Sequence, residues 1–325
     1  MLFDEQFARK PNLYPWTQDF INAIWAGHWT PNEFNFKGDY AQFKSELTEP
    51  ERRIVVKTLS AIGQVEIAVK RFWAQLGDNL PQPAMYDLGY ALAATEVIHN
   101  QAYEKLLDTL RLGKVFEENL KEPALAGRFE YLKKYLKKVY KLDHKKQYIY
   151  ALILFTLFVE NVSLFSQFYI ILWFNRFKNT LKDTAQQVQY TRNEEALHAQ
   201  VGIKLINTLR AEYPELFDPE LIERIVAEVQ EAYTAESKMI DWIIGDYTDE
   251  NISAEILKNY VANRLNDSLK AIKVKHVLPV DKAVLRKSLW MDEELIGNNM
   301  SDFFHHRPTE YAKKNKSFKQ EDIFE

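Results

Sequence analysis

The chain has 325 residues, 46% of them hydrophobic and only 10 of them glycine, enough apolar residue for a sizeable core and a balance that favours helices over sheets. Lys+Arg 42 and Asp+Glu 46 give a formal net charge of −4 with the two signs interspersed, so no basic patch marks a nucleic-acid partner. There is no cysteine, which excludes disulfides, thiolate metal sites and cysteine nucleophiles.

The first residues, Met-Leu-Phe-Asp-Glu-Gln, lack a basic region followed by an apolar run. No signal peptide is expected, and the default compartment is the cytoplasm. Residues 1–16 read as extended, with Pro11 and Pro15; helical pattern begins near Thr17 and breaks between Gly27 and Pro31. Glu49-Pro50 opens a long helix to about Leu76, and Gly77 to Pro83 is a turn. A second long helix is expected from Ala84 to Leu112, stopping at Gly113. Pro123 starts a helix ending near Tyr140, with a solvated Lys-rich stretch over Lys133–Lys146. Tyr148 to Phe174 is almost continuous apolar sequence, long enough to cross a bilayer. Glu160, Asn161, Ser163, Ser166 and Gln167 lie at its centre, where a charge in lipid is costly. It therefore reads as the middle helix of a large bundle, with no membrane partner. Helices follow over Leu181–Arg210, Pro219–Ile244 and Ser253–Val274, with a short one after Pro279. Beyond Gly297 the composition turns polar and basic, then acidic. Residues 1–299 are expected to form one domain and 300–325 a flexible tail.

One four-residue unit occurs twice: Glu96-Val97-Ile98-His99 and Glu195-Ala196-Leu197-His198. Residues three apart share a helix face, so each unit aims a carboxylate and an imidazole at one spot. Among seven histidines about half an accidental match is expected from glutamate usage, so the surroundings matter. Both units lie in long apolar helical patterns, where a Glu is rarely buried without a partner or a metal. Glu66 and Glu160 supply one more carboxylate each, on the helices before the two units. The chain thus reads as two helical hairpins, each giving Glu plus E-x-x-H. This is the donor set of a ferritin-like, all-α bundle with a dinuclear metal site in its core. Four carboxylates carry about four negative charges, which two divalent ions cancel. Mixed oxygen and nitrogen ligation suits iron or manganese. Tyr103 lies one turn after His99 on the same helix, close to the expected metals. A non-enzymatic scaffold would leave these buried carboxylates without cause.

The segment Ala94-Thr95-Glu96-Val97-Ile98-His99-Asn100-Gln101-Ala102-Tyr103 resembles the E-x-I-H-x-x-x-Y signature of the radical-generating (small, β) subunit of class I ribonucleotide reductase. Phe158-Val159-Glu160-Asn161-Val162 resembles its third-helix ligand region, and Asn193-Glu194-Glu195-Ala196-Leu197-His198 its D-E-x-x-H box. His28-Trp29-Thr30-Pro31-Asn32-Glu33 is similar to its F-W-T-P-E-E. The likeness runs from about residue 13 to the C-terminus. It implies that Glu66, Glu96 and His99 bind one metal, and Glu160, Glu195 and His198 the other. It implies that Tyr103 occupies the radical-tyrosine position and Trp29 that of the tryptophan passing an electron hole toward the catalytic (large, α) subunit. Tyr311 is similar to the tail tyrosine that relays it, and Phe318–Glu325 to the docking peptide. A homodimer and an activating oxidant, superoxide or oxygen, are implied as well. The nucleotide and the cysteines would belong to the catalytic subunit.

Three departures stand out. Glu66 replaces an Asp found in many relatives. Glu194 stands where the family usually has an Asp joining a metal-bound His to the Trp. Lys70 lies one turn after Glu66 on the same face, where it would need buried acceptors, Tyr103 or a metal ligand among them. Glu at the first ligand position with Lys one turn on resembles the dimanganese subclass (class Id), in which the metal pair holds the oxidising equivalent and the Tyr stays unoxidised. Two manganese ions are therefore expected, with two irons or one of each as alternatives. The rival readings are a tyrosyl-radical version of the subunit, an iron-storage ferritin, and a ligand-binding oxidase of the same superfamily. That oxidase shares the six ligands but lacks the Tyr at position 103 and the tail.

Overall fold

The computed structural model describes residues 1–275 and 277–292, and of residues 66–69 the backbone only. Helices make up most of the described residues, which hold no strand beyond an isolated bridge between Asp249 and Ile252. Helix α1 (Trp16–Ala26) and a short α2 (Lys37–Ser45) precede α3 (Glu49–Ala74). α3 begins on a capping box, Thr48 N donating to Glu51 Oε2 at 2.8 Å, with Pro50 in its first turn where no helical N–H is needed. After a single turn, α4 (Leu76–Asn79), the chain reverses into α5 (Pro83–Thr109), which packs along α3 as a hairpin. α6 (Gly113–Asn119) and α7 (Pro123–Leu132) cross over to the second hairpin.

That hairpin starts with one long helical rod. α8 (His144–Leu154) runs into a π-helical segment, Phe155–Ser163, and then into α9 (Phe165–Lys178). The rod is long and apolar enough to cross a membrane, but 94% of its apolar window is buried inside the protein, so it is the core helix of the bundle. α10 (Lys182–Glu212) returns along it. α11 (Pro219–Ile244), α12 (Ala254–Ala271) and the one-turn α13 (Lys282–Leu285) complete the described layer. This is the expected all-helical bundle with its charged cluster in the core.

Several elements differ from the sequence expectation. The helix from Pro123 ends at Leu132 and tightens into a 3₁₀ turn, Lys133–Leu136, well short of Tyr140. Gln147 Oε1 accepts from the backbone N–H groups of Val139 and Tyr140 at 2.7 and 2.8 Å, so helical carbonyls are not needed there. Helices α2 and α6 are additional. The π segment is invisible in hydropathy, because its residues are as apolar as the α-helix around them.

The π segment is held from both sides. Arg128 of α7 is fully buried and donates to Ala61 O on α3 (2.9 Å), Gln167 Oε1 on α9 (3.1 Å) and Glu236 Oε1 on α11 (3.1 Å), and also to Ser163 O, the last residue of the π segment. On the other side Gly202 of α10 touches Thr156. A Cβ at 202 would meet Thr156 Oγ1 at 2.1 Å, Cγ2 at 2.5 Å and Cβ at 2.8 Å. Gly202→Ala should therefore destabilise the protein by about 1–3 kcal/mol through overpacking. Thermal unfolding followed by circular dichroism should show a melting temperature lowered by several degrees, partly restored by adding Thr156→Ala.

Candidate metal centre

Three helical segments converge on one charged cluster. α5 brings Glu96 and His99, the π segment Glu160, and α10 Glu195 and His198, all five buried. Ligand atoms of Glu96, Glu160, Glu195 and His198 lie within 4.8 Å of one another. His99 Nδ1 is 3.3 Å from both Glu96 Oε2 and Glu195 Oε1. His198 Nδ1 is 2.9 Å from Glu96 Oε1 and 3.4 Å from Glu160 Oε2. Glu96 and Glu195 thus lie between two imidazoles whose centroids are 6.2 Å apart. α3 carries Glu66 alongside, but its side chain is outside the described residues, as are Tyr311 and Phe318–Glu325.

Outer hydrogen bonds fix both imidazoles. His99 Nε2 lies 2.7 Å from Glu194 Oε2, and a carboxylate accepts, so Nε2 carries the proton and Nδ1 faces the cluster. His198 Nε2 lies 3.0 Å from Thr95 Oγ1. The Thr95 hydroxyl already donates to Leu92 O at 2.7 Å, so it accepts from His198 Nε2–H, and Nδ1 again points inward. A hydroxyl that passes the bond on to a carbonyl orients the ring as a carboxylate or carbonyl acceptor would.

The charges inside the cluster cannot all ionise. Burial opposes ionisation of Glu96, but the His99 and His198 imidazoles outweigh it and hold the carboxyl at about 2. Burial, reinforced by the charges of Glu96 and Glu160, pushes Glu195 well above the ordinary carboxyl range. Burial would depress His198, but hydrogen bonds and charge from Glu160 and Glu96 raise it well above the ordinary imidazole range. Protons thus do the neutralising that cations would do in their place. Glu96 Oε1 and Oε2, Glu160 Oε2 and His198 Nδ1 are buried and meet only other groups of the cluster. Inward-facing atoms of this kind, hard oxygens with imidazole nitrogens, fit iron or manganese.

The surroundings place the other expected residues. Trp29 is buried, stacks on His99 with centroids 6.2 Å apart, and donates its indole N–H to Glu194 Oε2 at 2.9 Å. One oxygen of Glu194 therefore joins His99 to Trp29. Tyr103 is buried one turn beyond His99. Lys70 is half-buried; its ammonium donates to Asn100 Oδ1 at 3.2 Å, and Asn100 Nδ2 donates to the Glu96 backbone carbonyl at 2.9 Å.

Two contributors went unread in the sequence. Trp73 is fully buried and donates its indole N–H to Glu160 Oε1 at 2.7 Å. Its position seven residues after Glu66, two turns along the same face, was the available signal. Thr95, immediately before Glu96, was the other. Replacing it tests the orientation argument. Thr95→Val keeps the shape but removes the acceptor of His198 Nε2–H, and should weaken manganese or iron binding about 10–100-fold in chelator competition. Wild-type affinity would show that Thr95 does not orient the ligand.

Comparison with known proteins agrees with this geometry. The family model described as "Ribonucleotide reductase, small chain" matches residues 6–284. The ribonucleoside-diphosphate reductase subunit beta of Chlamydia pneumoniae is 25% identical over 324 residues, covering 93% of this chain and 88% of the relative. The solved ribonucleotide reductase R2 subunit from Clostridium botulinum superposes with a TM-score of 0.71 at 21% identity, over 87% of this chain and 88% of that one. An R2-like ligand-binding oxidase with a reconstituted Mn/Fe cofactor superposes with a TM-score of 0.70 at 18% identity, over 82% of this chain and 96% of that one, a likeness of fold. With its model matched across most of the sequence and the two E-x-x-H units meeting in the core, the chain belongs to the ribonucleotide reductase small-chain family.

Proposed function

We propose that this chain works with a pair of manganese ions as the store of its oxidising equivalent, with Tyr103 left unoxidised. The chain is a ribonucleoside-diphosphate reductase small subunit, the oxidoreductase component that starts reduction of ribonucleotides to deoxyribonucleotides in a catalytic subunit. Glu96, His99, Glu160, Glu195 and His198 would hold the metals, with Glu66 as the sixth ligand. Bound there, the metal pair supplies one-electron oxidising chemistry after activation by superoxide or oxygen.

The residues around it do the rest. Glu194 fixes the His99 ring and the Trp29 indole through the same oxygen, a continuous hydrogen-bonded line from ligand to aromatic ring. That line carries the electron-transfer role of the site, and the Lys70–Asn100 tie to the ligand helix carries the metal-only reading. Along it Trp29 is the residue that gives up an electron, and Glu194 holds the indole proton in place. Lys70, tied through Asn100 to the Glu96 backbone carbonyl, keeps an ammonium beside the helix that carries Tyr103, and a nearby cation opposes withdrawal of an electron from the phenol. Tyr311 then relays the hole across the interface, and Phe318–Glu325 docks to the large subunit. The protein acts as a homodimer in the cytoplasm. The second reading is a tyrosyl-radical form with iron, manganese or one of each, which the burial of Tyr103 one turn from His99 supports. The ligand-binding oxidase shares the fold but needs neither Tyr103 nor the tail.

Two experiments separate these readings. Protein loaded with manganese and treated with superoxide should show the paramagnetic resonance signal of an oxidised manganese pair and no tyrosyl radical. Tyr103→Phe should keep substantial turnover with the partner subunit. A stoichiometric tyrosyl radical, or a dead mutant that still holds oxidised metal, replaces this reading with the tyrosyl one. Tyr311→Phe should retain metal and oxidised centre but abolish nucleotide reduction, because phenylalanine has no phenolic proton to lose; normal turnover would remove the relay role.

A further inference from the structure

The centre has an indole at each end, and the two are not equivalent. Trp29 stacks on His99 and gives its indole N–H to Glu194, which lies outside the ligand set. Trp73 bonds the cluster residue Glu160 directly and sets its ring edge-on to His198, centroids 6.2 Å apart. On its far side Trp73 is edge-on to Phe155 (5.4 Å) and Phe72 (5.6 Å), which stack on each other at 3.8 Å. Tyr135 closes the group, edge-on to Phe72 at 5.4 Å and to Phe155 at 5.2 Å. It is half-buried, on the 3₁₀ turn Lys133–Leu136 at the protein surface. An unbroken aromatic column therefore leads from Glu160 and His198 to a phenol that solvent reaches. Trp and Tyr are the side chains most easily oxidised by one electron, and phenylalanines between them keep the gap short and dry.

We propose that Trp73 and Tyr135 form a second electron route into the centre, separate from the Trp29 line, by which external reductants discharge it. It rests on the oxidised metal pair proposed above. Trp73 gives one electron to the oxidised centre. Tyr135 then gives one electron to the Trp73 radical cation and its phenolic proton to water, leaving a neutral tyrosyl radical. A small one-electron reductant such as ascorbate returns a hydrogen atom to the Tyr135 oxygen. The net result is a centre reduced by one electron, an ascorbate radical, one proton released to water and an unchanged protein. Trp29 and the partner subunit are not involved.

The test uses the full-length, metal-loaded protein, oxidised and without its partner subunit. Ascorbate is added, and loss of the oxidised-centre resonance signal is followed with time, alongside metal content. Tyr135→Phe should slow the loss at least about five-fold with metal content unchanged, and Trp73→Phe should slow it similarly. Tyr135→Phe preserves the ring packing and leaves the Trp73–Glu160 bond in place, so its effect cannot come from a displaced ligand. Loss at the wild-type rate in Tyr135→Phe overturns the route while leaving the metal reading intact. Absence of any oxidised-centre signal in the wild type overturns both.

Discussion

Like charges forced together in a dry core are the constraint on which this fold turns. Glu96, Glu160 and Glu195 sit within a few ångströms of one another in the middle of a bundle whose surrounding residues are Leu, Ile, Val and Phe. No carboxylate cluster of this kind is stable on its own, because each charge has lost its water and gained a repulsive neighbour. Two imidazoles reduce the cost but cannot remove it, as the upward displacement of Glu195 shows. The arrangement makes sense as a site whose counter-charge is a metal. The helices must then resist relaxing apart whenever the cation leaves. Their length, the α3–α5 and π–α10 hairpins and the packed aromatic shell serve that rigidity.

The outer hydrogen bonds make the same point at finer scale. Each carboxylate or imidazole with a polar atom facing away from the centre finds a specific partner: His99 on Glu194, His198 on Thr95, Glu160 on Trp73. Glutamate at position 194 is one methylene longer than the aspartate usual in the family, yet a single oxygen reaches both His99 and Trp29. Trp29 is itself held by edge contacts with Phe34 and Tyr190.

What was legible and what was not follows from the range of the interactions. A three-residue spacing on a helix is local, so Glu96/His99 and Glu195/His198 could be read directly, and the apolar run around Glu160 marked the core helix. The pairing of Trp73 with Glu160 and of Arg128 with Glu236 spans 87 and 108 residues, and no periodicity encodes it. Arg128 in particular sits in an ordinary stretch, Ala126-Gly127-Arg128-Phe129, that reads as a solvated helix face. The helix ends at Leu132 and not near Tyr140 because Gln147, not the local sequence, captures the backbone donors of Val139 and Tyr140. The segment Phe155–Ser163 reads as α-helical in sequence because side-chain character does not distinguish α from π winding.

That winding has a consequence for the centre. A π segment turns less per residue than an α-helix, so Glu160 within it is rotated relative to where uninterrupted α-helix would put it. Such a segment gives up regular i→i−4 bonding and persists only if its surroundings over-determine it. Arg128 supplies that: its guanidinium ties Ser163 O to Glu236 and to helices α3 and α9 in one buried hub. Glu236, buried and pushed up by that burial despite the facing guanidinium, shows that the hub is expensive. Its expense is intelligible if its role is positional. It locks the one ligand helix whose geometry is irregular, and with it the carboxylate that Trp73 touches and that closes the His198 end of the site.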